Sequence, residues 1–494
     1  MLKLPALLNL MIFLPLLTGL LLLALPSRRP VLLRWTALTG SLLTLVLGLL
    51  LALNFHPAQD GVQFATRLPW IPSIGAGYNV GLDGLGLSLA LLTALLLTLV
   101  MVYVLPQRER AKEHAFLFLL MGSGLIGLFS SQDLLLFYLF FEVALVPMYF
   151  IIDIWGGEER RYAALKFFLY TRAGSLVMLL AFLALYLGAA PHTFDLATLV
   201  AARPFQHSPV AFWVLLGLLA GFGVKLPTVP LHNWLPDAHV QAPTEGSVML
   251  AGAQLKMGGF GLLHVLIPVL PDAVRASAWL LAALGILSLV YGALAALAQQ
   301  DLKRLVAYTS INHMGYVLLA AGVWGLSNDL TVRTLALVGA GFQMVSHGLL
   351  TGGMFFLVGA LGHRAGTRDI PAFGGLLGVL PIAGGLLVLL SFGSLGLPGL
   401  SGFVAEFQVI GAALGVNVWL AALSVLGLLI STGVYLWMLS RVAMGEKAAG
   451  SAGWQDLGAT ERWAMVPLAL GSLLLGLLPG SLITALDSAF RALG

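Results

Sequence analysis

Apolar segments long enough to cross a membrane follow one another along almost the whole chain. Of its 494 residues, 59% are hydrophobic and only 9% are charged. A helix needs roughly 20 apolar residues to span the hydrocarbon core of a bilayer. No soluble domain combines such runs with so few charges. The sequence therefore predicts an all-α polytopic membrane protein.

We predict about 14 transmembrane helices from these runs. They lie near residues 5–25, 31–53, 83–105, 114–130, 133–153, 162–188, 210–235, 246–269, 276–298, 303–323, 333–361, 377–412, 416–441 and 462–485. Of the 25 Lys and Arg residues, sixteen lie in or beside loops that follow odd-numbered spans, six lie on the other side, and three lie within spans. Basic loops face the cytoplasm. Both termini are thus predicted to be periplasmic.

Composition also limits the chemistry of the chain. It contains no cysteine, which excludes disulfides and a thiolate-held iron–sulfur cluster. We find no phosphate loop or glycine-rich nucleotide turn, and the formal charge of +4 is distributed over loops. We therefore expect no cofactor, metal or nucleic acid in this chain. The first apolar run lacks a clear cleavage site, and we interpret it as a retained span.

A lysine and two prolines interrupt the seventh predicted span. Pro227 removes a backbone donor two residues after Lys225 and crowds the carbonyl of Gly223, and Pro230 acts in the same way on the carbonyl of Leu226. Broken helices occur at membrane depth only where the freed backbone lines a cavity or is buried in protein. A buried lysine at such a break indicates function rather than anchoring.

A second interruption, around Leu397-Pro398-Gly399, lies five spans later. A five-span unit contains an odd number of helices, so a second copy must sit inverted in the membrane. This predicts four regions. They are residues 1–113 with helices 1–3, residues 114–270 with the first repeat, residues 271–441 with the inverted second repeat, and residues 442–494 with a loop and helix 14.

Few charged residues lie well inside the spans. Glu142 and Glu406 are the two acidic ones, and they join Lys225 and Lys256 as a set near mid-membrane. A buried lysine that alternately gains and loses a carboxylate partner binds and releases a proton. Histidine titrates near neutral pH, so the intramembrane histidines suit a proton relay between the charged residues. These histidines are His264, His313 and His347.

The same residues can also have purely structural roles instead of a role in proton transfer. An intramembrane histidine can simply hydrogen-bond a neighbouring helix, which we weigh most heavily for His264. Arg172 can be a structural partner of a carboxylate, and Glu142 can form a static salt bridge with Lys225. Acidic residues near span ends, such as Asp83, Asp133 and Asp153, are interpreted as interfacial residues with no chemistry assigned.

Two segments carry a resemblance to a known family. KLPTVPLHNWLPDAHVQAPTEGSVMLAGAQLKMGGFGL and DLKRLVAYTSINHMGY resemble the antiporter-like membrane subunits of respiratory NADH:quinone oxidoreductase (complex I). These are related to subunits of multisubunit Na+/H+ antiporters and membrane-bound hydrogenases. The resemblance covers essentially the whole chain. It implies 14 helices in two inverted five-helix repeats, with helices 7 and 12 broken and half-channels meeting a central polar axis.

Site residues follow from the resemblance by position. Glu142 resembles the helix-5 glutamate, Lys225 the lysine of broken helix 7 with which that glutamate pairs, and Lys256 the connecting lysine of helix 8. His313 and His347 extend the axis in the second half. Glu406 stands in broken helix 12, where the L and N types carry lysine. This position is similar to the M type, the counterpart of mitochondrial chain 4.

The resemblance implies a subunit of a proton-pumping translocase in the bacterial inner membrane. NADH, FMN, iron–sulfur clusters and quinone are then expected in partner subunits, with neighbouring antiporter-like subunits and lipids in contact with this chain. One alternative is a subunit of a Na+/H+ antiporter or membrane-bound hydrogenase. Another is a structural spacer whose charges only hold an assembly together.

Overall fold

The structure, a computed structural model, describes residues 4–59, 61–106 and 109–493. Lys3 and Arg108, both used in the topology count, lie outside the described residues. The first part of the chain forms α1 (Leu4–Ala24), α2 (Pro30–Leu53), strands β1 (Gln63–Ile71) and β2 (Ala76–Leu82), α3 (Gly84–Tyr103), α4 (Ala111–Ser130), α5 (Leu134–Trp155) and α6 (Arg160–Gly188).

The middle of the chain contains shorter helices. These are α7 (Leu196–Ala202), α8 (Val210–Lys225), α9 (Trp234–Gln241), α10 (Thr244–Met249), α11 (Lys256–Phe260), α12 (Ile267–Val269) and α13 (Pro271–Ala276). Two π-helical segments, Leu250–Gln254 and Gly261–Leu266, join α10, α11 and α12 into one span.

The remaining helices are α14 (Ala278–Leu297), α15 (Leu302–Leu326), α16 (Leu330–Ala365), α17 (Leu376–Val379), α18 (Pro381–Ser394), α19 (Ser401–Val416), α20 (Val418–Val442), α21 (Ala459–Leu477) and α22 (Gly480–Phe490). Among the described residues, 10 helices are long and apolar enough to cross a membrane, or up to 12 if each bent pair is one span. The protein is thus a mostly helical polytopic membrane protein, as predicted.

The structure interrupts the seventh predicted span at the lysine. Helix α8 ends at Lys225, and α9 begins only at Trp234. The carbonyls freed by the break are satisfied locally. Thr228 N–H donates to Gly223 O at 2.8 Å, and the indole N–H of Trp234 donates to Val224 O at 2.9 Å. The break is therefore a closed, hydrogen-bonded element of the fold.

The second interruption lies between α18 and α19. Gly396 and Gly399 have φ angles of +80° and +94°, a backbone region that residues with a Cβ rarely adopt. Ser401 N–H, at the start of α19, donates to Ser472 Oγ on α21 at 3.4 Å. Left-handed glycines on both sides of Pro398 turn the chain here, which accounts for the break that the sequence predicted.

Two parts of the fold differ from the sequence prediction. The all-α description misses an antiparallel hairpin, in which β1 pairs with β2 through a turn closed by Gly75 at φ +63°. The last predicted span is also not one straight helix, because α21 and α22 meet at 76°. Pro479 and Gly480 stand at that corner, and proline cannot continue the hydrogen-bonded ladder.

Burial identifies the centre of the bundle. The most apolar window of α16 is 100% buried, and that of the π-containing span 244–269 is 94% buried. The corresponding windows of α1, α2, α6 and α20 are only 39% buried, as expected for helices with a lipid-facing side. Two deeply buried spans therefore form the core, and Lys256 and His347 lie on them.

Two acidic residues that the sequence placed near span ends are buried helix caps. Asp83 accepts a hydrogen bond from Gly86 N–H at the start of α3. Asp133 accepts from the N–H groups of Leu135 and Leu136 at the start of α5. Both side chains satisfy orphan amides of a first helical turn.

Candidate functional site

Lys256 lies at the junction of the two π-helical segments, where the backbone is locally widened. It is fully buried. Its Nζ donates to Ala251 O at 2.5 Å and lies 2.6 Å from Nδ1 of His347. When the amine donates, Nδ1 of His347 is the acceptor. The contact joins two helices of the core directly.

From His347, contacts between rings extend into the second half of the chain. Its ring lies 5.7 Å from that of His313, centroid to centroid, and the ring of His313 lies 6.4 Å from that of Tyr435. The hydroxyl of Tyr435 donates to Thr309 Oγ1 at 3.1 Å. We call Lys256, His347, His313 and Tyr435 the central cluster. All four belong to different helices.

Lys225 is surrounded by aromatic rings. Its Nζ lies 4.7 Å from the ring centroid of Phe167 and 5.8 Å from those of Phe141 and Trp234. The side chain is fully buried, and its Nζ has no hydrogen-bond partner among the described residues. Ring faces attract a cation weakly, so this lysine is held without a carboxylate.

Glu142 is paired elsewhere. Its Oε2 lies 2.5 Å from Nη1 of Arg172, and Ser175 Oγ donates to its Oε1 at 2.6 Å. The pairing of Glu142 with Lys225 that the resemblance implies is therefore absent from this structure. The structural alternative for Arg172, as partner of a carboxylate, is confirmed. Both donors lie on α6, which packs against α5.

Glu406 lies beside the second helix break. It is buried, and its Oε2 has no hydrogen-bond partner among the described residues. A Cβ on Gly396 would lie 2.5 Å from this oxygen, so the carboxyl group rests against the left-handed turn. Three serine hydroxyls nearby join α16, α19 and α21. Ser401 Oγ lies 2.7 Å from Ser346 Oγ and 2.8 Å from Ser472 Oγ.

The predicted site residues thus fall into three groups. Lys256, His347 and His313 come together at the centre. Lys225 and Glu142 lie near the first break with Pro227 and Pro230, and Glu406 lies at the second break with Pro398. Among the described residues, no direct hydrogen bond joins one group to another.

His264 has a structural partner. Its Nδ1 lies 2.9 Å from Oδ2 of Asp83, the cap of α3. The interpretation of His264 as a residue bonded to a neighbouring helix is therefore confirmed.

Sequence reasoning missed a set of buried ionisable residues on the side predicted to be cytoplasmic. His114 Nε2 lies 2.8 Å from Oε1 of buried Glu245. Lys303 is buried and donates to Ala242 O at 2.5 Å. His239 is fully buried against Phe355. The signal was present in the sequence, since Glu245 and His239 lie inside the motif-bearing segment.

The fold and these separate clusters of buried ionisable groups are those of an antiporter-like polytopic membrane protein. The family described as NADH:quinone oxidoreductase/Mrp antiporter, transmembrane, matches residues 131–431. The chain belongs to this family.

Comparison with individual proteins supports this family assignment. NADH-quinone oxidoreductase subunit M of Rhodobacter capsulatus is 40% identical over 466 residues, which span 92% of this chain and 88% of that protein. A chain in the structure of respiratory complex I from Thermus thermophilus with bound NADH has a TM-score of 0.88 at 35% identity, covering 98% of this chain and 99% of that one.

A chain of the Mrp complex from Dietzia sp. has a TM-score of 0.83 at 23% identity and covers 98% of this chain and 52% of that chain. This likeness shows a shared fold alone. It does not transfer an activity.

Proposed function

We propose that this chain is a proton-translocating membrane subunit of a bacterial NADH:quinone oxidoreductase. The observation that supports this most directly is the contact between Lys256 and His347 at 2.6 Å, on the two most buried spans of the bundle. Burying an amine and imidazoles in a membrane-spanning core is costly, so such residues are rare and usually functional. A proton carrier needs such groups, whereas a purely structural core is better served by apolar side chains.

The geometry suggests how the charges work together. In this structure Glu142 is held by Arg172 and Lys225 has no carboxylate partner. A switch of Glu142 to Lys225 would stabilise the protonated lysine, and its return to Arg172 would favour proton release. Release toward the core delivers the proton to Lys256.

The histidines would carry the proton onward. His347 accepts at Nδ1 and donates from Nε2, so each transfer leaves the ring in the other tautomer. His313 is the next ring, and Glu406 is the acidic group beyond it. Release from Glu406 toward the outside completes the route. In this proposal every step moves a proton between named side chains of this chain.

The electron-transfer chemistry belongs to other subunits in this proposal. NADH, FMN, iron–sulfur clusters and quinone would be bound there, and neighbouring antiporter-like subunits and lipids would contact this chain. We further propose 14 spans in two inverted five-helix repeats, with the four regions given above and both termini on the periplasmic side. The two helix breaks and the excess of basic residues in alternate loops support this arrangement.

Extraction in mild detergent tests the redox partnership. Co-purification of flavin, iron–sulfur absorbance and NADH:quinone activity with this chain is the expected result. Co-purification with membrane subunits alone, without a redox centre, would favour the antiporter alternative. The assay would then be Na+/H+ exchange in vesicles. The fold shared with the Dietzia Mrp chain makes that alternative reasonable, and the 40% identity to a subunit M favours the oxidoreductase.

Proton translocation is tested by Lys225→Ala in the purified complex in liposomes. We expect assembly and NADH oxidation by an artificial electron acceptor to be unchanged, while proton pumping falls severely. Lys225→Arg, which keeps a cation, is the matched variant. Full pumping by Lys225→Ala would contradict the proposed role. Loss of assembly in both variants would instead support the structural-spacer alternative.

A further inference from the structure

Basic residues gather where α1 ends and where α2 and α4 begin, on the side that the loop charges assign to the cytoplasm. Arg28 and Arg29 lie between α1 and α2, Arg34 lies just past the first turn of α2, and Lys112 lies in the first turn of α4. Lys112 Nζ donates to Leu25 O at 2.9 Å, which joins the start of α4 to the end of α1. We call Arg28, Arg29, Arg34 and Lys112 the basic cluster.

Arg34 faces the beginning of α4. It shares a recess with Ala111, His114 and Ala115 of that helix. Its Nε is buried and has no hydrogen-bond partner among the described residues. Buried polar groups in native proteins are almost always hydrogen-bonded, so this N–H group calls for an acceptor that comes from outside the chain.

The positive charges of the basic cluster are not neutralised by the chain itself. In the described part of the chain, no carboxylate forms an ion pair with any member of the cluster. The acidic residues nearest to Lys112 in sequence, Glu109 and Glu113, are exposed. Lys112 has three donors and uses one for Leu25 O. The cluster therefore offers several free donors to an anion.

Two helix ends add to the positive potential. Helix α2 begins at Pro30 and α4 begins at Ala111, and neither has a side-chain cap. The first amides of a helix lack intrahelical partners and carry partial positive charge. Phosphate groups bind readily at such ends. The uncapped ends and the basic cluster thus favour the same kind of ligand.

The surface next to the basic cluster is apolar and open to the membrane. Trp35 is 57% exposed, and Leu42 and Leu43 further along α2 are 48% and 49% exposed. On α1, Leu20 and Leu21 are 49% and 53% exposed. Exposed tryptophan is typical of the headgroup level of a bilayer. A ligand with an anionic head and apolar chains covers both surfaces, whereas a free anion leaves the leucines uncovered.

We propose that the basic cluster binds the phosphate of an anionic phospholipid in the cytoplasmic leaflet. Arg34 and Lys112 hold the phosphate between α2 and α4, and Arg28 and Arg29 attract it from the loop. The acyl chains lie along the exposed side of α1 and α2. Basic pockets between membrane helices bind such headgroups elsewhere. The site is independent of the proposed function, since a chain without proton transport can bind lipid in the same way.

Photolabelling of the whole complex in phosphatidylcholine vesicles tests this site. The vesicles contain a small fraction of phosphatidylglycerol with a photoreactive group next to the headgroup. Peptide mass spectrometry should find labels on residues 28–35 and 110–115. In a double variant, Arg34→Gln with Lys112→Gln, labelling per assembled complex should fall by about tenfold or more, because each basic residue near the surface contributes to the attraction. Unchanged labelling would overturn the proposal.

A matched double variant separates a specific site from general surface charge. Arg160 and Arg161 are exposed at the start of α6, which begins on the same predicted side. Arg160→Gln with Arg161→Gln removes the same charge and should leave the labels on residues 28–35 unchanged. Arg34→Lys with Lys112→Arg keeps both cations and should retain most of the labelling. An equal loss in the two glutamine variants would refute a specific site.

Two further comparisons identify the ligand. Photoreactive phosphatidylcholine should label the same residues weakly, and millimolar inorganic phosphate should leave phosphatidylglycerol labelling largely intact. Equal labelling by both lipids, or its abolition by phosphate, would show a site for free anions and overturn the lipid proposal. Loss of a neighbouring subunit from Arg34→Gln with Lys112→Gln, with no change in lipid labelling, would show a protein interface instead.

Discussion

Arg172 holds the carboxylate of Glu142 at 2.5 Å, while Lys225 is surrounded by aromatic rings without a hydrogen-bond partner among the described residues. The structure therefore shows the acid bound to the arginine and not to the buried lysine. Arginine offers several donors in a fixed fork, so it competes well for the carboxylate. Mutations at Arg172 or Lys225 should therefore change which of the two residues binds the carboxylate of Glu142.

Removing the competing cation should disturb the proton cycle. In Arg172→Gln, Glu142 loses its cationic partner and keeps only the hydrogen bond from Ser175. Pairing with Lys225 is then favoured, and the lysine retains its proton. We expect pumping by the complex in liposomes to fall several-fold with assembly intact. Arg172→Lys keeps a cation and should restore most of the activity. Unchanged pumping in Arg172→Gln would show that this pair is only structural.

A substitution at His347 can keep the hydrogen bond to Lys256 while preventing proton transfer through the ring. Asparagine in His347→Asn can place an acceptor near Nδ1 and keep the bond to Lys256, but it cannot pass a proton across a ring. We expect normal assembly and a loss of pumping of about a hundredfold, within the range for removal of a general acid–base group. Pumping at the wild-type rate would exclude His347 from the route.

The turn beside Glu406 should not accept a side chain. Gly396 has φ +80°, and a Cβ there would lie 2.5 Å from Glu406 Oε2. Gly396→Ala should cost roughly 1–2 kcal/mol for the left-handed backbone alone and should displace the carboxyl group, lowering both thermal stability and pumping. Gly385→Ala is the control, because a Cβ at Gly385 meets nothing within 4 Å. Equal stability of the two variants would contradict this account.

The Asp83–His264 pair should affect stability more than pumping. Asparagine is a good helix cap, so Asp83→Asn keeps the cap of α3 and loses the charge opposite His264. We expect a loss of roughly 1–3 kcal/mol, measured by thermal unfolding, with pumping per complex unchanged. Asp329→Asn, at the start of α16, changes a cap that bonds only its own first turn and should be nearly neutral. A pumping defect in Asp83→Asn would place this pair on the proton route.

The same pair predicts a pH dependence. Burial alone would raise the pKa of Asp83, but His264 and the amide of Gly86 hold it below its usual value. A lowered pKa stabilises the fold above the unfolded value near about 3.9, and this stabilisation is lost as the pH falls further. Acidification should therefore destabilise the wild type more than Asp83→Asn, as followed by the unfolding temperature. Parallel curves would contradict the pairing.

The sequence by itself determined the class of protein, the family and both helix breaks. Long apolar runs allow little besides membrane helices, and Pro227 and Pro398 each remove a backbone donor at the break. These are local properties of the chain, so they can be predicted without knowing how the helices pack against one another. The repeat relation, the count of 14 spans and the orientation of the termini stay predictions.

Only the tertiary structure decided which side chains meet. Whether Glu142 faces Arg172 or Lys225 depends on the rotation and tilt of packed helices, which apolar periodicity does not specify in a chain that is hydrophobic nearly all round. The same holds for Lys256 with His347, for the burial of Lys303 and for the stacking of His239 on Phe355. The sequence therefore supplied the ionisable groups, and helix packing decided how they are arranged.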